Sequence, residues 1–92
     1  MAQFIVRVEI HSASSEDYES LHEKMKAKGY SREIQDGQGT WFHLPTAEYT
    51  ATKSSNAFDV REEVRGIASS VKSGHFVLVT EVANISWWLS KK

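Results

Sequence analysis

Apolar and polar residues alternate along the segment 4–10, whose sequence is Phe-Ile-Val-Arg-Val-Glu-Ile. Its even positions are all apolar, and its odd positions include Arg7 and Glu9. A period of two with β-branched residues is typical of a strand that buries one face. We therefore predict that this segment is the central strand of a small sheet, with its even positions facing the core.

Two later segments carry apolar residues at spacings of three and four, which is the pattern of an amphipathic helix. The first is predicted over residues 15–28, after a serine cap, and ends before Gly29. The second is predicted over residues 57–73, after a serine or asparagine cap, and ends before Gly74. A glycine just past a helix accepts the left-handed conformation that closes the last turn.

Between the two helices, the sequence predicts two short strands over residues 30–35 and 40–44. They flank Asp36–Gly39, a turn in which glycines accept positive φ angles. Pro45 ends the second of these strands because it has no N–H for the ladder. Residues 46–55, rich in threonine, serine and alanine, are predicted to be a long loop.

A final apolar run, residues 75–82, predicts a fourth strand that is covered on both faces. The order β-α-β-β-α-β is the ferredoxin-like, or split βαβ, arrangement of the α+β class. Right-handed crossovers would place both helices on one face of an antiparallel sheet in the order 4-1-3-2. Residues 1–83 would form this domain, and residues 84–92 would be a tail that packs on the sheet or on a partner.

Composition narrows the choice of function without deciding it. The 92-residue chain has a formal net charge of −1, so no global basic field attracts nucleic acid, and RNA would have to bind a local patch. The absence of cysteine excludes disulfides and thiolate metal sites and fits a cytoplasmic protein. No apolar run is long enough to span a membrane. No spacing typical of a metal or cofactor site is present, so we predict neither.

Two histidines are candidates for proton transfer near neutral pH. Cleavage of RNA through the 2′-hydroxyl needs a base for that hydroxyl and an acid for the leaving oxygen. His22 lies at the edge of the apolar stripe of the first helix, and His11 lies just past the first strand. The alternatives are a hydrogen-bonded boundary histidine at position 22 and an exposed loop histidine at position 11.

Four further residues are candidates for RNA binding. Arg7 and Arg32 could each hold a phosphate, and Trp41 with His43 could form a patch on which a base stacks. The alternative for Arg7 is a salt bridge on an exposed or dimeric sheet face. The alternative for Trp41 and His43 is a place in a protein interface.

Several segments spread along the chain share a pattern with one known family. They are residues 4–11, residues 17–22 with Met25, residues 29–32, residues 41–49 and residues 77–81. Together they resemble the GhoS-type endoribonuclease antitoxin family. The likeness runs almost from end to end, although no single segment is a catalytic motif.

The resemblance implies a ferredoxin-like fold related to the small CRISPR-associated Cas2 nucleases. It also implies a cytoplasmic role in a type V toxin–antitoxin system, in which the protein cuts the message of the toxin. An arginine in the first helix of the family falls at His22, so this chain departs from the family pattern there. The chain also lacks a strand-end aspartate of the Cas2 kind, Glu9 being the nearest acid, which favours a metal-independent mechanism.

A second hypothesis is a non-enzymatic interaction module, borne by a phage or another mobile element. In this hypothesis the open sheet face or the tail forms a homodimer, and the surface binds a protein partner. Trp87 and Trp88 would contribute to the dimer, because tryptophan is enriched at interface hot spots. A homodimer is predicted under both hypotheses.

Overall fold

The segment with the strict alternation is the central strand of the sheet, as predicted. The computed structural model describes residues 1–92, and its first strand, β1, covers Ala2–Ile10. The even positions of β1 from 4 to 10 are buried, whereas Arg7 and Glu9 are exposed. This division follows from the pleat, which sends successive side chains to opposite faces.

The remaining elements confirm the α+β class and add one strand to the predicted order, which becomes β-α-β-β-β-α-β. They are α1 (Ser15–Ala27), β2 (Glu33–Gln35), β3 (Trp41–His43), β4 (Glu48–Lys53), α2 (Ala57–Ser69) and β5 (His75–Glu81).

The predicted sheet order 4-1-3-2 is wrong, because the predicted strands 2 and 3 do not belong to the main sheet. The main sheet has three antiparallel strands in the order β4-β1-β5, and β2 pairs with β3 in a separate two-stranded sheet. The segment predicted as a loop thus contains the strand β4, which pairs with one edge of β1 and buries Tyr49 and Ala51. A single bridge between Ser31 and Thr50 links the two sheets.

The first helix has the predicted start and stop. The Ser14 hydroxyl accepts a hydrogen bond from the Asp17 amide, and the Asp17 carboxylate accepts one from the Ser14 amide, which together form a capping box. Gly29 follows with a φ of +88°, the left-handed conformation expected after a helix.

The second helix begins after Asn56 as predicted but ends at Ser69, well before Gly74. The hydroxyl of Ser70 donates to the carbonyl oxygen of Ile67, which competes with the backbone for that acceptor. Gly74 lies instead beside His11. A Cβ atom at position 74 would be 3.4 Å from the Cβ and Nδ1 atoms of His11. Neither helix is long and apolar enough to cross a membrane.

One face of the main sheet carries the core, and the other is open. Residues from both helices, among them Leu21 and Val64, share one cluster with the even positions of β1. The strand β5 was predicted to be covered on both faces, and this is wrong. Its odd positions pack against the core, but Phe76 and Leu78 on its other face are each 65% exposed.

The residues that follow β5 return to the two-stranded sheet. The amide of His43 donates to the carbonyl oxygen of Ser90, and the amide of Lys92 donates to that of Trp41. Trp87 packs edge-on against Phe42, with ring centroids 5.7 Å apart. The end of the chain therefore runs alongside β3.

Candidate functional site

A pocket of about 690 Å³ lies between α1 and the segment that runs from Gly29 to Leu44. We call it the α1–hairpin pocket, because β2 and β3 form a hairpin on its far side. Most of its lining residues are polar or charged. Those with ionisable groups of interest are His22, Glu23, Lys26, Arg32, Glu33 and His43.

The helix α1 places His22 at the near wall of the pocket. Leu21 and Met25 are fully buried and fix the face that α1 turns to the core. His22 follows Leu21 by one position, so its ring lies at the border of that face and is half-buried. Its Nδ1 atom lies 2.5 Å from the hydroxyl oxygen of Tyr49 on β4.

The contact with Tyr49 decides which ring nitrogen of His22 carries the proton. Tyr49 is fully buried, and burial raises the pKa of its phenol to about 12, so the hydroxyl keeps its proton at neutral pH. Nδ1 of His22 is its only protein partner, and a buried donor without an acceptor costs about 1–3 kcal/mol. The hydroxyl therefore donates to Nδ1, and neutral His22 carries its own proton on Nε2.

The same surroundings favour the neutral form of His22. Burial lowers the pKa of its imidazole below the ordinary value of 6.5, and the positive charge of Arg32 lowers it further. Glu19 acts in the opposite direction with a smaller effect. His22 thus presents an N–H donor, rather than a base, to the pocket at neutral pH.

Arg32 is placed by the residues on either side of it. Tyr30 is buried and donates a 2.7 Å hydrogen bond to Glu63 on α2, and Ser31 forms the bridge to Thr50. The carbonyl oxygen of Arg32 accepts from the amide of Leu44. Its side chain is exposed and takes part in no ion pair, so the guanidinium is free to bind an anion.

His43 reaches the pocket from β3, on the far wall. It lies directly opposite Glu33 of β2, and its Nδ1 atom is 4.0 Å from a carboxylate oxygen of that residue. The ammonium of Lys92 lies 3.2 Å from the same oxygen. His43 is more than half exposed, so one ring nitrogen is open to a substrate.

The structure brings three of the six candidate residues together and leaves three outside. His22, Arg32 and His43 line the α1–hairpin pocket. Trp41 lies two positions before His43 on the same face of β3, next to the pocket, and is 44% exposed. Arg7 points from the open face of the main sheet, and His11 packs edge-on against Phe76.

Sequence reasoning missed Glu33 and Lys92 as neighbours of His43. A signal for Glu33 was present, because a hairpin closed by Asp36–Gly39 sets residues 33 and 43 opposite each other. The sequence held no comparable signal for Lys92. No group of three or more His, Asp or Glu side chains is placed to hold one metal ion.

Comparison with protein families identifies the class of the protein. Residues 1–88 match the model of a family described as the endoribonuclease GhoS, which places the chain among the enzymes that cut RNA internally. Because the match covers nearly the whole chain, the chain belongs to the GhoS endoribonuclease family. No curated protein matches the chain.

The family match confirms the resemblance drawn from the sequence. The protein is a GhoS-family endoribonuclease of the antitoxin type, and its substrate class is RNA. The hypothesis of a non-enzymatic interaction module therefore gives way to that of an RNA-cleaving enzyme.

Proposed function

We propose that the α1–hairpin pocket is the site of RNA cleavage, that the reaction needs no metal ion, and that its target is the message of the partner toxin. The observation that carries this proposal is that one pocket is lined by His22 of α1, His43 of β3 and Arg32 of the segment between α1 and β2. Together they supply a base for the 2′-hydroxyl, an N–H donor for a phosphate oxygen and a free cation that stabilises negative charge.

The reaction begins with removal of the proton from a ribose 2′-hydroxyl. The 2′-oxygen then attacks the adjacent phosphorus, and the bond from phosphorus to the 5′-oxygen breaks. The departing 5′-oxygen takes up a proton from water. The products are a 2′,3′-cyclic phosphate on one fragment and a 5′-hydroxyl on the other.

The geometry supports a different role for each residue. His43 is exposed and has the Glu33 carboxylate beside Nδ1, so Nε2 is the nitrogen that accepts the 2′-hydroxyl proton. His22 donates its Nε2–H to a phosphate oxygen, because Tyr49 occupies Nδ1. The Arg32 guanidinium binds the phosphate and stabilises the charge that develops in the transition state.

Trp41 gives this site a surface for a neighbouring base. It lies on the same face of β3 as His43, and 44% of its surface is exposed. Stacking of a base on an aromatic ring contributes about 1–3 kcal/mol. We therefore expect Trp41→Ala to raise KM without abolishing cleavage.

The proposal is tested by measuring cleavage of the toxin transcript and of an unrelated transcript, with and without a chelator. We expect cleavage to persist in chelator, to fall about 10²- to 10⁴-fold in His43→Ala, and about 10²-fold in His22→Ala. The matched control is His75→Ala, because His75 lies outside the pocket and bonds to the carbonyl oxygen of Lys72.

Three results would contradict the proposal. Loss of cleavage in chelator would show that a metal ion takes part. Full activity of His43→Ala would remove the base from this pocket. Equal cleavage of both transcripts would leave the ribonuclease activity in place but remove the preference for the toxin message. Analysis of the fragment ends for a cyclic phosphate tests the chemical route independently.

We also propose that the open face of the main sheet binds a second copy of the chain. Phe76 and Leu78 are each 65% exposed there and lie two positions apart on the same face of β5, so they form an apolar patch. Arg7 lies opposite Glu48 in the β1–β4 register, yet neither side chain forms an ion pair within the chain. A two-fold arrangement would set Arg7 of one copy against Glu48 of the other.

Sedimentation over a range of concentrations tests the dimer. We expect Arg7→Glu to weaken association and the double variant with Glu48→Arg to restore it, since the swap re-creates the opposite charges. A wild-type chain that stays monomeric up to about 100 μM would refute the interface, since a specific interface of standard size binds more tightly than this.

A further inference from the structure

The strand that carries His43, β3, forms backbone hydrogen bonds with residues that lie outside the family match. The match ends at residue 88, whereas Ser90 and Lys92 make the backbone hydrogen bonds to β3. A two-stranded hairpin is marginally stable by itself, and β2 and β3 have only three residues each. The added backbone pairing therefore fixes the position of β3 in the wall of the pocket.

The side chain of Lys92 lies on the same face of the hairpin as His43. Lys92 and Trp41 are paired through the backbone, and the ammonium of Lys92 reaches across to Glu33. It lies 3.2 Å and 3.4 Å from the two carboxylate oxygens of Glu33. The oxygen at 3.2 Å is also the one that lies 4.0 Å from Nδ1 of His43.

We propose that Lys92 is a positioning residue of the cleavage site, which acts on His43 by holding the carboxylate of Glu33. With its carboxylate fixed 4.0 Å from Nδ1, Glu33 attracts a proton on that nitrogen and so favours the tautomer whose Nε2 is free to accept a proton. Without Lys92, the Glu33 side chain is free to leave this position. The proposal rests on the role of His43 in cleavage proposed above.

Lys91 provides a matched control, because it carries the same charge and is the next residue in the chain. Its side chain lies on the opposite face from that of Lys92, and it forms no ion pair. A general attraction of RNA by positive charge would be lost equally in Lys91→Ala and Lys92→Ala. A positioning role belongs to Lys92 alone.

The test is to measure kcat and KM for RNA cleavage by the full chain in five variants. We expect Lys92→Ala to lower kcat about three- to fivefold, which is the effect of one exposed ion pair, with little change in KM. Lys92→Arg should retain the wild-type kcat, and so should Lys91→Ala. In a chain that carries Glu33→Gln, the further change Lys92→Ala should have no effect on kcat.

The proposal is overturned if Lys91→Ala and Lys92→Ala raise KM equally and leave kcat unchanged. It is also overturned if Lys92→Ala lowers kcat as much in the Glu33→Gln chain as in the wild type. These results are separate from a failure of the proposed function. If His43→Ala is fully active, the site itself is wrong, whereas an inactive His43→Ala with a normal Lys92→Ala removes only the role of Lys92.

Discussion

The hydrogen bond between His22 and Tyr49 joins a half-buried imidazole to a fully buried phenol. The phenol keeps its proton, and Nδ1 of His22 is the only protein acceptor within its reach, so the hydroxyl donates to the neutral ring. Protonation of His22 would put a proton on Nδ1 and leave the Tyr49 hydroxyl without an acceptor for its own proton. The stability contributed by this contact and the role proposed for His22 in cleavage therefore require the same protonation state of one side chain.

This contact predicts how the stability of the protein changes with pH. The pKa of His22 is lowered in the folded chain, chiefly by burial, whereas the unfolded chain has the ordinary value of 6.5. The unfolded state thus binds a proton more readily, so the contribution of His22 is present above about pH 6.5 and is lost as the pH falls below it. We expect the free energy of unfolding to fall more steeply between pH 7.5 and 5 in the wild type than in His22→Gln.

Urea unfolding at several pH values, followed by circular dichroism, measures this difference. His75→Gln is the control, because it removes an imidazole that bonds to the carbonyl oxygen of Lys72 and does not contact Tyr49. Parallel curves for the wild type and His22→Gln would mean that His22 is not held in its neutral form.

The sequence was enough to select individual residues of the site, but it could not predict that they lie together in one pocket. His22 stands out at the edge of an apolar stripe, and His43 beside Trp41 on a short strand. Their convergence depends on the hairpin standing next to α1, and the expected sheet placed residues 40–44 beside β1 instead. Tyr49 lies in the segment that the sequence predicts to be a loop, so its hydrogen bond to His22 could not be predicted.

At the scale of elements, β1 and α1 were predictable because their signals are local. The alternation in β1 and the serine cap of α1 each involve residues only a few positions apart. The strand β4 was missed because its buried side chains include the small Ala51, and because threonine suits loops and strands alike. Its assignment depends on pairing with β1, more than forty residues away.

The capping box of α1 predicts the effect of one surface substitution. Ser14→Ala removes the acceptor for the Asp17 amide, and we expect it to lower the free energy of unfolding by about 1 kcal/mol. The neighbouring change Ser15→Ala is the control, since the Ser15 side chain makes no hydrogen bond and the exposed helical position tolerates alanine. Equal loss in both variants would show that the cap contributes nothing specific.

At the scale of the whole molecule, the near-zero charge limits how RNA is held. The net charge is −1, so RNA binding at the proposed site would depend on local cations such as Arg32 and Lys26 in the pocket. Neutralising two phosphates of a single strand predicts a slope of about −1.4 for the logarithm of affinity against the logarithm of salt concentration. Fluorescence anisotropy with a labelled, non-cleavable oligonucleotide measures this slope.

The variant Arg32→Ala should reduce the magnitude of the slope by about 0.7, because one phosphate contact is lost. A control substitution of Arg61, which is already paired with Glu62 on α2, should leave the slope unchanged. A wild-type slope steeper than about −4 would place the main RNA contacts outside the pocket.

The position of β1 in the chain also bears on how the protein is made. Among the strands of the main sheet, β1 is synthesised first, and both of its partners, β4 and β5, follow far behind it. At about 5–20 residues per second, the roughly 65 residues from the end of β1 to the start of β5 take about 3 to 13 seconds to synthesise. For that time the nascent chain exposes an apolar strand with an unpaired edge, which is where early aggregation or chaperone binding would begin.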